Sequence, residues 1–326
     1  MRHAGPADEA SLDREAEETI CSVQNSHECS INAQMSPASN ATITSLPEAV
    51  RSLIHDGDVV AMEGFTHLIP FAAGYEVIRQ RLKNLTLVRM TPDVIYDQLI
   101  GAGCASKLVF SWGGNPGVGS LHRLRDAVEQ GWPAPLAIEE YSHAGLANAY
   151  VAGASNIPFA VLRAYSGSDL VQHSERIRFI DCPFTGETLA AEPAVQPDVT
   201  VIHAQKADRK GNVLLWGILG VQKEAALAAK RCLVTVEEIV DDLQSPPNAC
   251  VLPSWTLSAV CCVPGGAHPS YAHGYYQRDN FFYQHWDTVS RHREGFNAWL
   301  QRHVFGTENF AEFRRVLDES ISEQTR

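Results

Sequence analysis

No apolar run in this chain approaches the length of a membrane span. The longest, VLLWGILGV at 213–221, is under half of the roughly 20 residues a bilayer-crossing helix needs. Basic residues are also short: 26 Lys and Arg stand against 38 Asp and Glu, a formal net charge of −12. That balance argues against nucleic acid or an anionic membrane as a partner. The eight cysteines form no C-x-x-C, and no His/Cys cluster has zinc spacing, so no metal site is expected. They read as free, mostly buried thiols of a reducing cytoplasm. Three motifs are missing as well. There is no G-x-G-x-x-G, no G-x-x-x-x-G-K-[ST] and no G-x-S-x-G, which removes the dinucleotide fingerprint, the phosphate loop and the nucleophile elbow.

The first 45 residues are poor in large apolar side chains and carry seven acids against two bases. They also lack a basic segment followed by an apolar one, so they do not read as a secretory leader. The expectation is a disordered extension over 1–44, with Met35 as an alternative start, followed by one domain over 45–320.

From residue 46 the chain alternates between two periodicities. LPEAVRSLIHDGD, FAAGYEVIRQRL, GSLHRLRDAVEQG, GLANAYVAGA and QKEAALAAKR have helical spacing. DVVAM (58–62), LTLVRM (85–90), KLVFSW (107–112), FAVLRAY (159–165), DVTVIHAQ (198–205), CLVTVEEIV (232–240) and LSAVCCV (257–263) are β-rich. The strands are nearly continuous apolar runs, as expected where both faces are covered. The predicted class is α/β: a layered, mostly parallel sheet with helices on both faces. The aromatic and charged stretch from about 281 predicts two amphipathic helices packed outside the sheet, then a polar tail.

Ligands of such sheets bind beyond the carboxyl ends of the strands. Four turns there are candidates: Glu63-Gly64-Phe65-Thr66-His67, SWGGNPGVGS (111–120), RAYSGSDL (163–170) and VPGGAHPSYAHGYYQRDN (263–280). Their glycines let the main chain approach a ligand closely, and a following helix start offers N–H groups to an anion. Two acids are candidate nucleophiles toward an acyl thioester, Glu63 in the first turn and Glu175 in QHSERIRF. The histidines near the turns are His67, His143, His268 and His273. None has a Ser or Cys partner evident in sequence, so each also reads as a hydrogen-bonding structural residue.

Taken together, HDGDVVAMEGFTHLIPFAAGYEVI, SWGGNPGVGSLHRLRDAVE, HAQKADRKGNVLLWGILGVQKEAALAAKR and VPGGAHPSYAHGYY resemble the α-subunit of the family I CoA-transferases. The likeness runs from about residue 45 to about 318 and is strongest to the branch acting on 3-oxoadipate; the glutaconate branch is also similar. It implies a CoA-transferase fold and an obligate second, different CoA-transferase subunit, in an assembly of two copies of each or larger. It also implies ping-pong transfer from succinyl-CoA to 3-oxoadipate. The CoA thioester is then a substrate, and no cofactor is bound permanently. The family's nucleophilic Glu belongs to that second subunit, in a Ser-Glu-Asn-Gly type motif. HSERI at 173–177 lacks the Asn and Gly, so no catalytic residue is expected on this chain. Glu63 stands where the wider family has the first Gly of Gly-Gly-Phe. By resemblance, the CoA-facing turn is Glu63, Gly64, Phe65, Thr66, His67, Leu68 and Ile69. The other turns supply the expected substrate wall: Gly114, Asn115, Gly167, Ser168, Gly266 and His268. The alternatives are a transferase or hydrolase for another dicarboxylic acyl-CoA such as glutaconyl-CoA, and a non-catalytic acyl-CoA binding protein.

Overall fold

The computed structural model describes residues 41–324, apart from Gly117 and Ser166. In chain order its strands are β1 (Thr42–Ile43), β2 (Val59–Glu63), β3 (Leu85–Arg89), β4 (Ala105–Phe110), β5 (Ala137–Glu140), β6 (Phe159–Leu162), β7 (Arg178–Asp181), β8 (Thr188–Pro193), β9 (Val199–Asp208), β10 (Val213–Leu215), β11 (Arg231–Val240), β12 (Cys250–Leu252) and β13 (Ala259–Cys262). The helices are α1 (Leu46–Leu53), α2 (Phe71–Arg79), α3 (Val94–Gly101), α4 (His122–Gln130), α5 (His143–Ala154), α6 (Leu170–His173), α7 (Gln222–Ala228), α8 (Asn280–Ser290), α9 (Arg293–Leu300) and α10 (Phe310–Gln324).

The main sheet runs β1-β13-β11-β9-β2-β3-β4-β5, and every neighbouring pair along that path is parallel. Only β10, with β12 beyond it, adds an antiparallel flap on β9. Consecutive side chains of a strand point to opposite faces, and the cores follow that rule. Val60 and Met62 of β2 join α1, α2, α3 and the C-terminal helices in one core. Ala61 packs with Leu146 and Tyr150 of α5 and with Ala225 of α7 in another. The apolar runs at 58–62, 85–90, 198–205 and 232–240 are therefore covered on both sides, as expected.

Three expectations change. FAVLRAY is not in the parallel sheet. β6 pairs antiparallel with β8 in a separate three-stranded sheet, β6-β8-β7, and Phe159 and Val161 are exposed. A short antiparallel strand needs only one buried face, and its apolar run hides that difference. The C-terminal stretch forms three helices rather than two, with a π-helical turn at Gln301–Phe305 between α9 and α10. The extension expected over 1–44 lies outside the described residues up to residue 40, but Thr42–Ile43 pair with β13 and extend the sheet. Among the described residues no helix is long and apolar enough to cross a membrane, the six cysteines are free, and no cluster could hold a metal ion.

Candidate active site

The turns after β2, β3, β4 and β13 meet at the carboxyl end of the sheet, and side chains lace them together. The period of two along β2 turns Glu63 toward the Ala61 face, beneath α5. There its Oε1 accepts the Met90 N–H at 3.0 Å, and the Tyr150 hydroxyl lies beside the carboxyl. On β3, Arg89 points to the opposite face with Leu85 and Leu87. Its guanidinium donates to Gly64 O at 2.7 Å and to Asp93 Oδ1 at 3.0 Å. The two side chains thus tie each strand end to the main chain of the other from opposite faces. Glu63 is 2% exposed and Arg89 1%. Burial raises the Glu63 pKa, against the pull of Arg89 and the Met90 N–H.

The first turn is held just as tightly. Thr66 and Leu68 adopt left-handed φ values of 58° and 52°, costly for residues with a Cβ. Surrounding bonds hold them there: the Leu68 N–H donates to Tyr271 O at 3.0 Å and the Ser270 hydroxyl to Thr66 O at 2.8 Å. Position 64 must be glycine, because a Cβ there would lie 2.8–2.9 Å from Leu68 O, His67 O and Ile69 Cα. His67 is fully buried. Its Nδ1–H donates to Ile218 O at 3.0 Å, and its Nε2 accepts the His273 N–H at 2.9 Å. That pair of partners fixes the neutral tautomer, and burial lowers its pKa to about 4. Neither ring nitrogen is open to a ligand. Phe65, by contrast, projects outward at 40% exposure.

The second turn joins the first through β3: Gly114 N–H donates to Pro92 O, and Ser111 and Trp112 N–H to Met90 O, each at 3.2 Å. Asn115 is buried, with Nδ2 donating to Tyr283 O at 2.8 Å. The fourth turn is braced from below by Glu237 on β11. One carboxylate oxygen takes the Gly265 N–H at 2.7 Å. The other takes the Tyr276 hydroxyl at 2.6 Å and His203 Nε2 at 2.7 Å. Burial opposes ionisation of Glu237, yet these donors outweigh it and hold its pKa low. A Cβ on Gly266 would come within 3.0 Å of the His203 ring, so this glycine permits close packing. His268 directs Nε2 to Asp279 Oδ2 at 2.9 Å, and burial lowers its pKa against that carboxylate.

The structure therefore brings together Glu63–Ile69, Gly114, Asn115, Gly266 and His268. Gly167 and Ser168 lie elsewhere. Ser168 lines an open cavity of about 660 Å³ with Lys107, Glu139 and Arg176, beside edge strand β5. Glu175 lines that same cavity. Sequence reasoning missed Arg89, Asp93, His203, Glu237 and Arg278. For His203 and Glu237 the available signal was polar residues inside apolar strands, as in TVIHAQ and TVEEI; Arg278 lay within the fourth candidate turn itself.

A family model described as Coenzyme A transferase matches residues 43–262. The chain is 71% identical over 279 residues to one subunit of the 3-oxoadipate CoA-transferase of Pseudomonas knackmussii, covering 86% of this chain and 99% of that protein. The crystal structure of glutaconate CoA-transferase from Acidaminococcus fermentans superposes with a TM-score of 0.79 at 32% identity, over 85% of this chain and 93% of that one. A decarboxylase AibA/AibB structure matches with a TM-score of 0.70 at 30% identity, over 81% and 99%. Laced turns at the carboxyl end of a parallel sheet, the family model and the extent of these likenesses agree: the chain belongs to the coenzyme A transferase family.

Proposed function

We propose that this chain is the non-nucleophile subunit of a cytoplasmic transferase that moves CoA from succinyl-CoA to 3-oxoadipate. A glutamate of a partner subunit attacks the succinyl thioester carbonyl, giving a mixed anhydride and releasing CoA thiolate. The thiolate attacks the glutamyl carbonyl, leaving a glutamyl-CoA thioester and free succinate. The 3-oxoadipate carboxylate then attacks that thioester and expels CoA thiolate, and the thiolate returns to the new acyl carbonyl. The products are 3-oxoadipyl-CoA and the restored glutamate.

The observation that carries the division of labour is the placement of Glu63. It is buried under α5 and engaged by Met90 N–H, so it is a poor nucleophile toward a bulky thioester. The substrate assignment rests on the 71% identity to the named 3-oxoadipate subunit. Around the same strand ends Phe65, Trp112, Ile218 and Tyr275 stay exposed. An apolar rim of this kind suits a partner that closes the site and excludes water from the anhydride.

The test is reconstitution with the partner subunit, succinyl-CoA and a panel of dicarboxylates that includes glutaconate. The pair should turn over 3-oxoadipate with parallel-line ping-pong kinetics, the chain alone should be inactive, and a trapped CoA thioester should map to the partner. Turnover by the chain alone would refute the division. Binding of CoA by an inert pair would favour a binding module.

A further inference from the structure

We infer that Arg278 binds the distal carboxylate of the acid that accepts CoA, which makes it a specificity-determining residue for dicarboxylates. The inference rests on the reading that the acceptor is a dicarboxylate.

Such an acid needs a cation, or several donors, at the end remote from the reacting carboxyl. The turn residues supply few. His67 has both ring nitrogens engaged, His268 faces Asp279, and Ser168 lies at another cavity. Thr66 and Asn115 remain, and neither is charged.

Arg278 fills that gap. It lies at the end of the fourth turn and reaches across to the second, where Nη2 donates to Pro116 O at 2.7 Å. Its guanidinium carbon sits 4.2 Å from the centroid of the Tyr283 ring. The carbonyl of that same Tyr283 holds Asn115. The side chain is therefore pre-positioned by a hydrogen bond and a cation–π contact, and little rotamer freedom is left to lose on binding.

Its charge has no ion-pair partner among the described residues. Other half-buried or buried arginines here pair with carboxylates: Arg89 with Asp93, Arg79 with Glu76, Arg123 with Asp126. Among the described residues Arg278 has no carboxylate within ion-pair distance. Asp93, the acid whose charge it feels, is taken by Arg89. A partly buried cation without a counter-ion is unfavourable unless something supplies one. A second observation points the same way. Arg278 Nε, Asn115 Oδ1 and His268 Nδ1 are all buried without hydrogen-bond partners, where buried polar groups are ordinarily paired. Three polar atoms of the second and fourth turns are thus left unsatisfied from within. Guanidinium geometry matches a carboxylate better than an ammonium does.

The experiment uses the reconstituted two-subunit enzyme carrying Arg278→Met or Arg278→Lys. The acceptors are 3-oxoadipate and 3-oxohexanoate, which has the same carbon chain and no distal carboxylate. In a ping-pong scheme kcat/KM for the acceptor reports only the acceptor half-reaction, so effects on succinyl-CoA do not enter. Arg278→Met should lower kcat/KM for 3-oxoadipate by about 100-fold, as expected for loss of one partner of a desolvated charge pair. It should leave 3-oxohexanoate within about threefold, and Arg278→Lys should recover about tenfold of the loss. An equal fall for both acceptors would show that Arg278 only holds the turns in place and would overturn the inference, as would no change for either. A wild-type pair that ignores 3-oxoadipate and every other dicarboxylate would instead refute the functional reading beneath it.

Discussion

Replacing Glu63 by Ala and by Gln separates a structural carboxyl from a catalytic one. In the Ala variant the Met90 N–H loses its acceptor, and that group is partly covered by the cluster that holds Ala61 and Tyr150. An unsatisfied buried donor costs about 1–3 kcal/mol, and the small void adds to it. Arg89 keeps its ion pair with Asp93 in either variant. A total of about 3 kcal/mol corresponds to a melting shift of roughly 5 °C for a domain of this size. The ends of β2 and β3 would loosen beneath the first turn, and activity of the two-subunit enzyme should fall about tenfold through misplacement of that turn.

Gln keeps the acceptor oxygen and resembles the protonated carboxyl that burial favours at this position. Its loss of stability should be no more than about 1 kcal/mol, with activity near wild type. The pH dependence carries a sign. The folded pKa of Glu63 is raised, so its contribution is complete below the ordinary carboxyl range and is lost as pH rises through the folded value. The Gln variant should therefore gain on the wild type as pH increases. Thermal melts across pH and steady-state turnover would measure both effects. Loss of activity beyond about 100-fold in the Gln variant at unchanged melting temperature would mean the carboxylate takes part in chemistry. A CoA thioester recovered on Glu63 would overturn the argument outright.

Three further perturbations follow from the same geometry. His67→Ala strands Ile218 O and the His273 N–H and should destabilise by about 2–4 kcal/mol in urea unfolding. Because the folded pKa of His67 is depressed to about 4, its contribution is present above the unfolded pKa and is lost as pH falls through 4; a turnover inflection from this residue between pH 5 and 8 would contradict that. Asp97 accepts the N–H groups of Arg123 and Leu124 at the start of α4 and that of Trp286 Nε1, and burial pushes its pKa up to about 6. Asp97→Asn sets an amide N–H against Trp286 and should cost about 2 kcal/mol near pH 4. The deficit should vanish by about pH 7, because ionised Asp97 is the form burial penalises and the change available over that range is about 2 kcal/mol; a deficit that grows would reverse the assignment. Gly64→Ala has no room for its Cβ between three main-chain atoms and should abolish activity while lowering stability by about 3 kcal/mol; wild-type kinetics would show that the turn yields.

The parallel strands were legible because burial on both faces writes itself as an unbroken apolar run, and β2, β3, β9 and β11 all carry one. The edge and flap strands were not. Ala137–Glu140 and Cys250–Leu252 are short and half exposed, so their composition differs little from that of loops. The site was legible as turns, since glycine marks where the main chain must bend or be approached, but not as chemistry. A turn reads as a continuous segment, whereas what fixes it comes from far along the chain: Arg89 on Gly64, His273 on His67, Glu237 on Gly265. No local pattern encodes those pairings. Glu63 shows the consequence. Read as part of a turn, it faces a ligand; read as the fifth residue of β2, it falls on the Ala61 side and goes under α5. Strand parity therefore decides which of the two residues closing β2 and β3 can reach a ligand, and it turns both Glu63 and Arg89 into the covered layers. The charge that does reach the converging turns enters from outside the strand ends, on the segment that leads into α8. Arg278 is thus the more informative residue to perturb when asking what this surface binds.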